Sequence, residues 1–268
     1  MKQITVVVFL LAAALVVGCD RQPSPQKTTV SGVMIPSALK NGPVEDAKAA
    51  LAKNPELATA EDAGGNTAIH YATYNGNLDV VKLLLENKAD AAARNKIGQT
   101  SLHRVVNSTN VALVKLILDE GVNVNSKDNF GRTPLVMSIL SGHPEVVKFL
   151  IDNKADFNVR NDHGMTPLLL AAGAESTAVL QVLIEAKADL NTRDISGNTA
   201  LHHAAGGGQL ANVKLLLSHK ADLSATNKVG QTTAQFLETY QGPERTKEHN
   251  DVAKYLKSLS EGGGSATK

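Results

Sequence analysis

Two kinds of short apolar segment alternate along most of this chain, separated by polar breaks. Ala68 to Tyr74 reads as a short helix. Past a break at Gly76 comes a denser apolar set, Val80, Val81, Leu83, Leu84 and Leu85, and the third copy of that set is Val146, Val147, Phe149, Leu150 and Ile151. Apolar residues on more than one side of the second helix predict contact with a neighbour before it and another after it. The spacing of the pairs is fixed. Gly65, Gly98, Gly131, Gly164, Gly197 and Gly230 follow one another every 33 residues, and so do Thr67, Thr100, Thr133, Thr166, Thr199 and Thr232. A single unit of this size cannot bury its own apolar surface, whereas stacking does, so the period predicts a repeat array.

The polar breaks carry their own chemistry. Each unit opens on Asp or Asn (Asp62, Asn95, Asp128, Asn161, Asp194, Asn227), with its glycine three residues on. Asx at a turn start and Gly where φ is positive make a tight turn. The threonine then stands at a helix N-cap, where its hydroxyl accepts from a free backbone N–H. Pro134 and Pro167 follow at the first helical position, where no N–H is needed. Further breaks fall at Gly142 and Gly208; the other units carry Thr109, Glu175 and Gln241 there, which predicts looser turns.

Gly-Asn-Thr-Ala-Ile-His-Tyr-Ala (65–72), Gly-Arg-Thr-Pro-Leu (131–135), Gly-Met-Thr-Pro-Leu (164–168) and Gly-Asn-Thr-Ala-Leu-His-His-Ala (197–204) resemble the signature of the ankyrin-repeat family. The Lys-Ala-Asp segments at 88–90, 154–156, 187–189 and 220–222 resemble the family's Gly-Ala-Asp at the end of its second helix. The resemblance covers about 36–259. It implies an all-α repeat solenoid of stacked helix-turn-helix units with β-hairpin fingers. Four of the usual glycines are replaced by Lys88, Lys154, Lys187 and Lys220, and Gly121 is kept. Lysine in a left-handed helix cap costs about 1 kcal/mol, part of it recovered through the helix dipole.

The ends differ from the middle, as an array in water requires. Val44, Ala47, Ala50 and Leu51 have helical spacing, so 37–61 reads as an N-terminal capping half-repeat. Five full repeats follow over 62–226. The sixth, 227–259, is a C-terminal cap with a polar insertion, Gly242 to Asn250, and a second helix expected over Asp251–Leu259; 260–268 reads as a disordered tail.

Composition changes the picture at the N-terminus. Lys2 precedes a 14-residue uncharged apolar run, Ile4 to Val17, which suits a signal peptide better than a membrane span. It ends in Val16-Val17-Gly18-Cys19, which resembles the lipobox of bacterial lipoproteins, so 1–18 reads as a signal peptide and Cys19 as its lipidation site. Cys19 is the single cysteine, so no disulfide can form within one molecule. Residues 19–36 read as a flexible tether, although Val33, Met34 and Ile35 fit the first helix pair as well. Asp20 implies, by the same resemblance, the inner rather than the outer membrane. Charge is balanced, 27 basic residues against 26 acidic, which gives no reason to expect a nucleic-acid partner.

Candidate chemistry is sparse. His70, His103 and His202 stand at the signature histidine, where a bond to turn and backbone groups is expected. Adjacent His202 and His203 point to different sides of a helix and make a poor metal site. Gly206-Gly207-Gly208 lacks the strand and the Lys-Ser/Thr of a phosphate loop and reads as a small-residue notch. No enzyme, no cofactor and no metal is expected. Binding is the natural task, and the resemblance places it on the finger tips and the first helices: Tyr74, Lys96, Ile97, Asn129, Phe130, Arg132, Leu140, Asp162, His163, Met165 and Ile195. Phe130 beside Arg132 has the aromatic-plus-arginine character of an interface hot spot. Arg94, Lys127, Arg160 and Arg193, each 33 apart, predict a basic ladder that acids neutralise or that steers an acidic partner. The sequence thus reads as a monomeric, lipid-anchored, periplasm-facing binding module that inhibits, protects or scaffolds a protein, or else as a tethered structural or assembly factor.

Overall fold

A computed structural model of the chain describes residues 32–239 and 246–262. The signal peptide, Cys19, most of the tether, Gln241 with the start of the insertion, and the end of the tail lie outside the described residues. The chain divides between Asp156 and Phe157 into two compact units.

The first unit holds α1 (Ser37–Asn41), α2 (Val44–Lys53), a 3₁₀ turn (Pro55–Ala58), α3 (Ala68–Tyr74), α4 (Leu78–Glu86), α5 (Ser101–Val105), α6 (Val111–Asp119), α7 (Pro134–Leu140) and α8 (Pro144–Asp152). First helices pack on first helices, α1 on α3 on α5 on α7; second helices do likewise, α2 on α4 and α6 on α8. Between the layers Leu39, Ile69, Leu84, Leu102, Leu113, Ile117, Leu135, Ile139 and Leu150 are fully buried. The N-terminal cap holds two helices, α1 and α2, with packed chain ahead of them. Gly32 and Val33 donate to the Glu61 carbonyl, and Ile35 is buried while Met34 faces out.

The second unit holds α9 (Pro167–Gly173), α10 (Thr177–Glu185), α11 (Ala200–Gly206), α12 (Leu210–Ser218), α13 (Thr233–Thr239) and α14 (Lys247–Gly262). Its layers are α9–α11–α13 and α10–α12–α14. The last helix begins before the expected Asp251 because Thr246 starts it. His249 Nδ1 lies 3.3 Å from the Thr246 amide, and its Nε2 reaches the Gly206 carbonyl at 3.0 Å. Thr246-Lys-Glu-His249 is thus a displaced copy of the threonine–histidine signature, buried in sequence among polar residues.

The fingers depart from expectation. No β-strand occurs in them among the described residues; each is a closed turn. The opening Asx donates its N–H to the carbonyl four residues on (Asp62 to Asn66, 2.9 Å; Asp128 to Arg132, 2.9 Å; Asp194 to Asn198, 3.1 Å). Its side-chain oxygen accepts the N–H groups two and four residues ahead, as Asp62 Oδ1 does from Gly64 and Asn66. With those groups consumed locally, one backbone bond remains to join a finger to the next: Lys96 N–H to Gly64 O and Asn129 N–H to Ile97 O in the first unit, Ile195 N–H to His163 O and Lys228 N–H to Ser196 O in the second. Gly65 has φ +72°, and a Cβ there would meet the Lys96 nitrogen at 2.9 Å, so both conformation and clearance require glycine.

Turns without the inter-helix glycine are held by the following repeat. In the first unit α5 ends early, at Val105. Asn107 is tied through its carbonyl to His143 Nε2 (3.1 Å) and through its side chain to Ser141 (2.9 Å). In the second, Asn212 stands fully buried in an otherwise apolar column and donates to the carbonyls of Ala172 (3.0 Å) and Ala174 (2.8 Å), at the end of α9. The notch expected at 206–208 is filled: a Cβ on Gly207 would lie 2.6 Å from the Gly173 carbonyl, so glycine there lets α11 approach α9.

The signature histidines fasten repeat to repeat. His70 Nδ1 accepts the Thr67 N–H at 3.1 Å, and Nε2 reaches the Gln99 carbonyl at 3.0 Å. Since an amide only donates and a carbonyl only accepts, the ring is neutral with its proton on Nε2. His103 does the same with Thr100 and the Arg132 carbonyl, and His202 with Thr199 and the Gln231 carbonyl. Burial lowers the pKa of all three, partly opposed by the bond each makes to that carbonyl.

Two outcomes follow from this packing. Lys88, Lys154, Lys187 and Lys220 are exposed and have φ between 64° and 71°. Replacing each with glycine is expected to raise stability by roughly 0.5–1 kcal/mol, read as a higher urea midpoint, with unchanged midpoints contradicting the strain. The second outcome concerns pH. Below the ordinary histidine value of 6.5, the unfolded chain takes up protons that buried His70, His103 and His202 refuse. Stability is therefore full above that value and is lost as pH falls beneath it towards the lowered folded values. The urea midpoint should fall between about pH 7.5 and pH 5.5, and His→Gln at all three positions should flatten the slope.

Candidate protein-binding surface

In the first unit the structure brings Phe130 and Arg132 together through one carboxylate. Asp128 Oδ1 accepts the N–H groups of Phe130 and Arg132, each at 2.9 Å, while Oδ2 accepts the Arg132 guanidinium at 2.8 and 2.7 Å. That carboxylate is fully buried, and the Arg132 side chain is about a third exposed. Its carbon sits 4.8 Å from the Phe130 ring centroid, so cation–π attraction holds the ring while 46% of Phe130 stays open to solvent. Ile97, on the preceding tip, is exposed and bonded through its carbonyl to Asn129 N–H. Lys96 is exposed. Asn129 is less available than its exposure suggests, because its amide donates to the Lys96 carbonyl at 2.9 Å. Tyr74 and Leu140, both exposed, end α3 and α7. Leu140 therefore stands about 9 Å along its helix from the finger, at 1.5 Å per residue.

Arg104 and Met137 belong to the same face and were not anticipated. The Arg104 guanidinium lies 4.5 Å from the Tyr74 ring centroid. Gln99 stands beside both, with Oε1 3.5 Å from Arg104 and Nε2 3.8 Å from the Met137 sulfur. The signal was in the sequence, as the residue four places after each capping threonine.

In the second unit, Asp162, His163 and Ile195 are exposed and Met165 is half-buried. Ile195 N–H donates to the His163 carbonyl at 3.1 Å, which places the tips carrying these residues side by side. Ile195 is 56% exposed and Val229, one finger further, 77%. Behind them His203 Nε2 lies 3.0 Å from Asp194 Oδ2. Burial pushes the Asp194 pKa up, but hydrogen bonds from His203 and Asn198 outweigh it and hold the carboxyl below its usual range. The first unit has the parallel case: Asp62 is raised by burial and brought below the carboxylate range by bonds from Tyr71, Asn66 and Gly64.

The three arginines of the basic ladder are neither paired with acids nor left free. Arg94 donates to the Lys127 carbonyl at 2.7 Å. In the second unit Arg160 donates to the Arg193 carbonyl at 2.8 Å, and Arg193 to the Thr226 carbonyl at 2.5 Å. Each arginine staples its finger to the residue 33 places on, which removes donors that a partner would need.

Among the described residues no group of His, Cys, Asp or Glu is arranged to hold a metal ion, and no helix is long and apolar enough to cross a membrane. A cavity of about 150 Å³ beside Arg193 is lined by Leu190, Asn191, Thr199, Leu201, Ala221, Asp222 and Ala225, a set without a nucleophile–base pair.

The chain matches two ankyrin descriptions. "Ankyrin repeats (3 copies)" matches residues 87–161 and 154–227, and "Ankyrin repeat" matches 64–96. The crystal structure of the ankyrin repeat domain of Bcl-3, described as a unique member of the IkappaB protein family, is similar in fold. Its TM-score is 0.64 at 23% identity, covering 81% of this chain and 96% of that one. The probable E3 ubiquitin-protein ligase XBOS32 of Oryza sativa subsp. japonica is 40% identical over 60 residues, 22% of this chain. The chain spans 12% of that relative, whose ligase description remains its own. Residue matches over more than half the chain, six copies of the Asx–Gly–Thr turn and a layered helix-pair fold together show that the chain belongs to the ankyrin-repeat family.

Proposed function

We propose that this chain is a non-enzymatic protein-binding module held in a bacterial cell envelope by a lipid on Cys19, facing the periplasm and more readily at the inner than the outer membrane. Family membership supports binding of a protein, since an ankyrin array is typically non-catalytic. The observation that carries the reading is Phe130, half exposed on a finger tip and held in place by Arg132 and buried Asp128. A folded array has no use for an aromatic ring presented in that way. Ile97, Tyr74 and Leu140 add exposed apolar area in the same unit, and Asp162, His163, Met165 and Ile195 form the corresponding surface in the second. The partner is an envelope or incoming protein that the module inhibits, neutralises or shields.

The lipid anchor rests on the Val16-Val17-Gly18-Cys19 sequence behind an apolar run. Several acyl chains on one cysteine, at about 0.8 kcal/mol per buried CH₂, make a stable anchor.

Two experiments test this. Phe130→Ala with Arg132→Ala should weaken a partner cross-linked and identified from the envelope by at least about 30-fold, with the circular dichroism spectrum preserved. Undiminished binding would instead favour a tethered structural or assembly role. Cys19→Ala should move the protein from the membrane to the soluble fraction and abolish palmitate labelling; a soluble, unlabelled wild-type protein would overturn the anchor.

A further inference from the structure

Four residues after each capping threonine stand Tyr71, Arg104, Met137, Leu170, His203 and Phe236. In the first and fifth repeats this residue is polar, and the Asx opening its finger, nine residues earlier, supplies a carboxylate. Tyr71 donates to Asp62, and His203 bonds Asp194 at 3.0 Å. Arg104 breaks the rule. Its finger opens on Asn95, an amide, whose Oδ1 accepts from Ile97 and Gln99 N–H and whose Nδ2 donates to Asn66 at 2.9 Å.

Arg104 is therefore a guanidinium without a counter-charge. Among the described residues no carboxylate lies within ion-pair distance of it. Its Nε is buried without an acceptor, and one terminal nitrogen reaches Gln99 Oε1 only at 3.5 Å. The neighbouring acid is committed, since Asp62 accepts from Tyr71, Gly64 and Asn66. The guanidinium is nonetheless positioned, stacked on half-exposed Tyr74 at 4.5 Å. A planar fork with free donors, fixed against an aromatic face, matches a carboxylate in geometry and charge. Two further cations lie on this face, exposed Lys96 and Arg132, and its two carboxylates are engaged, Asp62 by Tyr71 and Asp128 by Arg132.

We propose that Arg104 is the docking point for a carboxylate of the partner protein, an Asp or Glu side chain on an acidic segment whose aliphatic stem lies on Tyr74. This deepens the protein-binding reading and rests on it. Asn95 is then a specificity residue, because an amide there leaves open the charge that an aspartate would close.

Acetylated octaglutamate amide serves as the probe, with octaglutamine amide as its control, at low salt. Fluorescence anisotropy measures binding, and the Arg104 Nε–H resonance is followed by NMR. Octaglutamate is expected to bind saturably and to shift that resonance, whereas octaglutamine does neither. R104Q should weaken binding at least about tenfold, and K82Q, at an exposed lysine of α4 in the second-helix layer, by less than about twofold. N95D places a carboxylate where repeats one, three and five already carry one, so it should fold; it should weaken the probe about as much as R104Q and shift the Arg104 resonance without peptide. Wild-type affinity in both R104Q and N95D overturns the proposal, and so does an equal loss in K82Q, which would mean diffuse charge. If the envelope partner is lost on Phe130→Ala with Arg132→Ala but kept by R104Q, the docking point is wrong and the interface stands. If the probe depends on Arg104 while no partner depends on Phe130, the carboxylate site stands and the interface fails.

Discussion

Everything in this fold hangs on how six short turns consume their own polar groups. One Asx oxygen takes two backbone N–H groups, the same residue's N–H closes on the carbonyl four places on, and a glycine at positive φ lets the chain reverse. The turn is satisfied before it meets a neighbour, so it can project from the helices without a strand partner. It also delivers the capping threonine in extended backbone at the start of the next helix, so that turn and helix share one hinge.

One backbone bond is a thin seam between turns closed in this way, and side chains add three recurrent kinds of tie between repeats. Histidine reaches a carbonyl 29 residues ahead in repeats one, two and five. Repeats three and four have proline at the first helical position and no histidine, and threonine caps the helix alone, at 3.3 Å to Val136 and 3.4 Å to Leu169. Arginine ending a repeat reaches a carbonyl 33 residues ahead. The third kind answers a defect. Where an inter-helix glycine is missing, His143 or Asn212 from the next repeat takes the carbonyls it would have left unpaired. Polar residues in an apolar column, like Asn212, are then understood as repairs.

The candidate surface was partly legible because repetition separates duty from display. Positions that stacking requires recur as Gly, Thr and Leu or Val; Ile97, Phe130 and Ile195 differ between copies and prove exposed. The arginine ladder and Asn129 misled for the opposite reason. They recur or vary like surface residues, yet their donors are spent on backbone carbonyls that only folding brings near. Arg104 escaped notice because its column sits inside a helix, where a lone polar residue is ordinarily a solvated one.

By itself the sequence determined the period, the helix pairs, the turn glycines, the left-handed lysines and the histidines bonded at their capping threonines, because each follows from contacts within a few residues or from a fixed repeat. Tertiary structure decided what links one repeat to another. Whether an arginine faces a partner or a carbonyl 33 residues away, and whether a guanidinium meets Asp or Asn across a turn, depends on distances that no local pattern contains. It also decided that the fingers are turns rather than strands, since their N–H and carbonyl groups are used up before a neighbour can pair with them. Those same distances leave Arg104 charged, held and without a carboxylate.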